Sequence, residues 1–208
     1  MTLDLNDKQI QILLVAERLF AEKGFDGTSI RDISKEAKIN IAMVSYYFGS
    51  KERMLEALIY FRTSDLKIQL DNLLKEDLSP MEKINKLISL YITRINKNRC
   101  IYRIVHFELS SVKRAIDIKA FNEVKKRNLE SLEQIIHEGQ EMGMFQKNIN
   151  IPLIPPTILG TFFHVQTNKF FYQDLLGLKT DEAFDNYLTT ELTAHIQQTI
   201  KALLTNEK

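Results

Sequence analysis

The stretch from Thr28 to Lys51 places three helix starts in quick succession. Thr28 has a hydroxyl that can accept a bond from an N–H left unpaired at a helix start. Ile30, Ile33 and Ala37 then repeat at helical spacing. Ile39 is placed to plug a turn, and Asn40 is a second good cap. Ala42, Met43, Val44 and Tyr47 form the next short helix. Ser50 caps a third, with Glu52 in its first turn, where the helix dipole favours negative charge. Two short helices joined tightly and followed by a longer one are the layout of a helix-turn-helix, whose second helix fits a major groove. An ordinary αα corner has the same spacing, and spacing alone leaves both open.

On either side the periodicity is helical. Residues 8–23 carry Ile12, Val15, Ala16, Leu19 and Phe20 on one face, and Gly24 ends the run. A long helix is expected from Lys51 to about Leu74, buried through Leu55, Leu58, Ile59, Leu66 and Leu70. Ser79-Pro80-Met81-Glu82 reads as a capping box with proline at the first helical position. The stripe from Ile84 to Ile95 follows it. Cys100–Leu109 is apolar enough all round to be a buried helix. A long amphipathic helix is expected from Ala115 to about Glu141, then irregular chain over 146–154. Pro155-Pro156 opens a helix running to Leu176, and one last helix runs from about 182 to 204. Alternating strand patterns are absent. The fold class predicted is all-α, about nine helices: an N-terminal helix-turn-helix domain over 1–50 and a C-terminal helical domain over 51–208, with the fourth helix linking them.

Charge and composition narrow the functions available. The net charge is +1, and residues 1–51 hold seven Lys/Arg and seven Asp/Glu. No broad basic field therefore draws this chain to nucleic acid, and DNA contact must rest on a few placed cations, hydroxyls and helix N-termini. Cys100 is the only cysteine, which fits a reducing compartment. The first residues lack a hydrophobic signal core, and no apolar run reaches the roughly 18 residues of a membrane span. A cytoplasmic protein with no membrane contact is expected. No His/Cys/Asp/Glu cluster has metal spacing, no glycine-rich phosphate loop is present, and no nucleophile elbow occurs. No catalytic residue, metal or cofactor is predicted, and the chain does not read as an enzyme.

Taken together, Ile12-Leu-x-x-Ala16-x-x-Leu19-Phe20-x-x-x-Gly24-Phe25-x-x-Thr28-Ser29-x-x-x-Ile33-x-x-x-Ala37-x-Ile39, then Tyr47-Phe48-Gly49-Ser50-Lys51-Glu52 and Leu55, resembles the DNA-binding domain of the TetR family of transcriptional regulators. The resemblance covers about residues 10–58. It implies a recognition helix starting near Asn40, with Asn40, Ile41, Ala42, Ser45 and Tyr46 on its exposed face. It implies a base contact for Arg31, whose fork pairs chemically with guanine, and phosphate contacts for Thr28, Tyr46, Tyr47 and Lys51. Pairing of Arg31 with a neighbouring carboxylate such as Asp32, and a mainly core role for Tyr47 and Phe48, are the alternative readings. Three residues depart from the family pattern. Lys38 stands where relatives usually have Gly in the turn, Ala42 replaces a frequent Gly, and Ser45 a frequent Tyr. The recognition face then has no cation, and Ile41 and Ala42 would discriminate bases by apolar contact.

The same resemblance implies a homodimer on a palindromic operator, with an interface on the last two long helices. Phe163, Phe170, Phe171, Tyr187, Ile196 and Ile200 are the interface candidates. It also implies a pocket for an unidentified small-molecule effector. Tyr91, Cys100, Tyr102, His106, Glu108, Phe162, His164 and Gln166 are candidates for its lining. The function expected is sequence-specific transcriptional regulation, a repressor released by its ligand. A helical adaptor that keeps the fold without specific DNA binding is the alternative. Ligand, operator sequence and regulated genes are not written in the sequence.

Overall fold

The structure, a computed structural model, describes residues 5–110 and 119–205. Among the described residues, eleven α-helices and one short 3-10 turn follow one another, and no strand occurs. They are α1 (Asp7–Lys23), α2 (Ile30–Glu36), α3 (Ile41–Phe48), α4 (Lys51–Lys75), α5 (Pro80–Lys97), α6 (Arg99–Ser110), α7 (Lys119–Glu141), α8 (Ile154–Thr167), α9 (Lys169–Leu175), α10 (Asp181–Thr189) and α11 (Glu191–Leu204).

Two of the nine expected helices are each broken once. At Asn168 the side-chain amide donates to the His164 carbonyl at 2.8 Å, and the backbone turns out of the helix between α8 and α9. At Thr190 the hydroxyl donates to the Asn186 carbonyl at 2.8 Å, separating α10 from α11. Short polar side chains that bond back to a preceding carbonyl compete with the helix in this way. The 3-10 turn Ile151–Leu153 falls in the stretch expected to be irregular. The start expected for the long helix at Ala115 lies outside the described residues.

The chain packs as two compact units, one made of 1–66 with 98–125, the other of 67–97 with 126–208. The boundary expected at residue 50 is not where packing divides the chain: the first half of α4, and α6, share the core of the N-terminal helices. In the first unit, Ile12, Leu13, Ala16 and Phe20 of α1 meet Ile33, Val44 and Phe48, and Leu55 and Leu58 of α4 close the floor. Helix α6 joins this core through Ile101, Ile104 and Val105 while Arg103 stays exposed, so it buries one face and not its whole circumference. Glu17, almost fully buried, is matched by Arg62, whose guanidinium reaches it at 2.6 and 3.0 Å. A buried carboxylate would be costly without such a partner.

In the second unit, α5 contributes Ile84, Leu87, Ile88, Ile92 and Ile95, all buried. They pack with Phe184, Leu188, Leu192, Ile196, Ile200 and Leu204, a stripe that continues across the break at Thr190. Leu203 is exposed, and Leu204 ends the buried stripe. Phe145 folds back beneath Gly139, where a β-carbon would lie 2.2 Å from the phenyl ring.

Candidate nucleic-acid interface

The first unit builds its exposed helix from the turns inward. Ser29, not Thr28, caps α2: the Asp32 N–H donates to its hydroxyl at 3.1 Å, and Asp32 Oδ2 accepts from the Ser29 N–H at 2.9 Å and from its hydroxyl at 2.5 Å. These bonds, the hydroxyl's first, hold the Asp32 carboxyl below the ordinary carboxylate range. The Thr28 hydroxyl points inward instead and is shared between the carbonyls of Gly24 at 2.8 Å and Leu19 at 3.1 Å. Only 1% of Thr28 is exposed, so its expected phosphate contact is corrected: this side chain ties down the end of α1.

Lys38 carries the turn between α2 and α3 at φ 54°, in the left-handed region. Its neighbour Ile39 donates to the Ser34 carbonyl at 3.0 Å and closes the turn. Asn40 caps α3, its Oδ1 accepting from the Ala42 N–H at 2.9 Å. Val44 and Phe48 anchor the helix to the core, and Tyr47 packs half-buried beside them. Gly49 ends it with φ 73° and ψ −62°, and the Ser50 N–H donates across it to the Phe48 carbonyl at 2.8 Å. That is a γ-turn of the positive-φ kind, which glycine accepts most readily. Ser50 then caps α4, its hydroxyl accepting from the Arg53 N–H at 3.2 Å.

What remains outside is the face the sequence predicts. Asn40, Ile41, Ala42, Ser45 and Tyr46 are all exposed, Tyr46 to 85%. Met43, missing from the predicted face, is exposed as well. A helical wheel would have found it, because Met43 lies away from Val44 and Phe48. Arg31 is exposed and free of Asp32, whose carboxylate is held by Ser29. Arg31, Lys38 and Arg53 form no ion pair among the described residues. Glu22 and Glu36 are drawn off by Arg18, and Glu17 by Arg62. The neutral charge count of this segment therefore understates the cations it offers.

Lys51 is placed differently from a free phosphate ligand. Its ammonium donates to the carbonyls of Phe25 at 2.6 Å and Thr28 at 2.8 Å, and sits 4.3 Å from the centre of the Phe25 ring. Two of its three N–H groups thus fasten the loop before α2 to the first turn of α4.

The remaining predicted residues do not form one site. Tyr91, Cys100, Tyr102 and Gln166 are half-buried, Phe162 is wholly core, and His164 is exposed with its ring edge-on to Tyr172. Cys100 and Tyr102 belong to the first unit, and Tyr91, Phe162, His164 and Gln166 to the second. The side chains of His106 and Glu108 lie outside the described residues. A cleft of about 510 Å³ in the second unit is lined by Asn72, Leu73, Lys86, Ser89, Leu90 and Gln197, and by none of these candidates. Of the interface candidates, Ile196 and Ile200 are corrected to core: they face α5, α8 and α10 within one chain. Phe163 and Tyr187 are half-buried, whereas Phe170 and Phe171 are 86% and 61% exposed. Among the described residues, no helix is long and apolar enough to cross a membrane, and no group of His, Cys, Asp or Glu is gathered to hold a metal.

A capped helix-turn-helix with an exposed second helix, followed by a separately packed helical unit, defines a DNA-binding transcriptional regulator. The comparisons agree. The sequence profile of bacterial regulatory proteins of the tetR family matches residues 12–58, and that of the C-terminal region of YsiA-like proteins matches residues 63–180. This chain belongs to the TetR family. It is 30% identical over 178 residues to the transcriptional repressor NicS of Pseudomonas putida, covering 80% of this chain and 79% of that protein. It is 25% identical over 154 residues to the fatty acid metabolism regulator protein of Bacillus subtilis, covering 74% and 79% respectively. Among solved structures, FadR from Bacillus subtilis in complex with stearoyl-CoA has the same fold, with a TM-score of 0.72 at 21% identity over 93% of this chain and 97% of that one.

Proposed function

We propose that this protein represses transcription as a cytoplasmic homodimer that holds a palindromic operator and lets it go when an acyl-CoA thioester binds. In function the division falls near residue 50, with 1–50 reading DNA and 51–208 sensing the effector and pairing the subunits. The observation that carries the reading is the exposed face of α3, set between Arg31 and Lys38 on one side of the chain and Arg53 on the other. Asn40, Ile41, Ala42, Ser45 and Tyr46 face the major groove, Arg31 reaches a base edge, and the Tyr47 hydroxyl meets a phosphate. Phe163, Phe170, Phe171 and Tyr187 supply apolar and aromatic surface to the partner subunit. The acyl thioester is supported by the FadR structure with stearoyl-CoA and by the likeness to a regulator of fatty acid metabolism.

The effector acts only if it binds the released state better than the DNA-bound one. Selection from random double-stranded DNA with the full chain tests the reading, followed by titration of the selected duplex with stearoyl-CoA and with free coenzyme A. A palindrome released by the thioester and not by coenzyme A is expected. A chain that selects no sequence at low salt is an adaptor instead. A palindrome indifferent to the thioester would keep the repressor and discard this effector class.

A further inference from the structure

We infer that α3 recognises thymine C5-methyl groups, so that each operator half-site holds thymines whose methyls are needed for tight binding; this rests on the DNA-binding function proposed above. At about 100° per residue, Ala42 and Tyr46 lie at the middle of the exposed face. Ile41 and Ser45 flank them on one side and Met43 on the other, while Val44 and Phe48 point into the core. Ile41 is 43% exposed and Met43 38%, an apolar surface that an eight-residue helix has no use for within its own unit.

The residues of α3 itself exclude the usual bidentate partners of three bases. Guanine is met by Arg or Lys, adenine by Asn or Gln, and cytosine by Asp or Glu. Residues 41–48 contain none of these six. Asn40, just before the helix, has its side-chain oxygen engaged by the Ala42 N–H. In the major groove only thymine offers an apolar group, its methyl, and Ile41, Ala42 and Met43 are the surfaces that fit it. Arg31, Lys38 and Arg53, which form no ion pair among the described residues, all lie off α3. They hold the backbone or a flanking guanine and leave the middle of the half-site to apolar contact.

The test uses the full chain and its selected operator, with thymidine replaced by deoxyuridine one position at a time. Uracil keeps the Watson–Crick pairing and every groove donor and acceptor, and lacks only the methyl. At two or more positions of each half-site, binding is expected to weaken about four-fold per methyl, the transfer value of one buried carbon. That loss should shrink in the Ile41→Ala or Met43→Ala variant at the position each side chain covers. A selected operator that binds equally well with uracil at every half-site position would overturn the inference and leave DNA binding standing. Failure to select any operator would remove the DNA-binding reading, and this inference with it.

Discussion

Lys38 holds a backbone conformation that glycine adopts freely and lysine does not. A left-handed L-residue costs about 1–2 kcal/mol, and glycine returns part of that as unfolded-state entropy. Lys38→Gly should therefore stabilise the chain by about 0.5–1 kcal/mol, read as a higher midpoint in urea at an unchanged slope. A lower midpoint would mean that the lysine side chain, not its backbone, is what the turn requires. Lys51 poses the opposite case. Its ammonium satisfies two carbonyls inside the reading head, and Lys51→Gln should destabilise by about 1–3 kcal/mol. The salt dependence of operator binding should keep its slope, whereas loss of a phosphate contact would flatten it by about 0.9. The sequence singled out Lys38, because the glycine usual in the family is missing there, but left the shape of the turn open. It hid the inward turn of the Thr28 hydroxyl, because Thr28 and Ser29 are both capping residues and only packing decides between them.

Among the elements, those whose boundaries rest on local chemistry were legible in the sequence. The capping box at Ser79 and Glu82 forms as read, with the Ser79 N–H and hydroxyl both donating to the Glu82 carboxylate. The breaks at Asn168 and Thr190 were not legible, since both sit inside apolar stripes that run on past them. The capping boxes of Ser29 with Asp32 and of Ser79 with Glu82 carry a pH dependence. Hydrogen bonds from Ser29 lower the Asp32 pKa and those from Ser79 lower that of Glu82, the serine hydroxyl contributing most in each case. Both groups favour the charged form in the folded chain. Their contribution is complete above the ordinary carboxylate range and is lost as pH falls through the lower folded-state values. Helicity followed by circular dichroism should decline over that acid window, and Asp32→Asn should remove part of the dependence. An identical acid profile in that variant would show that the α2 cap does not contribute.

For the whole molecule, the division into two compact units was only partly foreseen. Periodicity gives each helix a buried face but does not say which other helix covers it, and α6 joins the N-terminal core from across a long stretch of sequence. For the same reason, Ile196 and Ile200 could be read equally as core or as interface until their neighbours were known. Phe170 and Phe171 remain as the exposed aromatic pair on α9, an apolar surface of the kind that a second subunit covers. Phe170→Ser with Phe171→Ser should shift the protein from dimer to monomer in sedimentation experiments while helicity is kept. A dimer unchanged by both would place the interface elsewhere.

If the exposed face of α3 reads a DNA sequence, operator and unrelated DNA must differ sharply in affinity. Fluorescence anisotropy with the selected operator and a shuffled duplex of the same composition, at matched salt, measures this directly. A preference of at least about 1,000-fold for the operator is expected, largely lost in Tyr46→Ala combined with Ile41→Ala. Equal affinity for the two duplexes, or a preference that survives the double substitution, would contradict it.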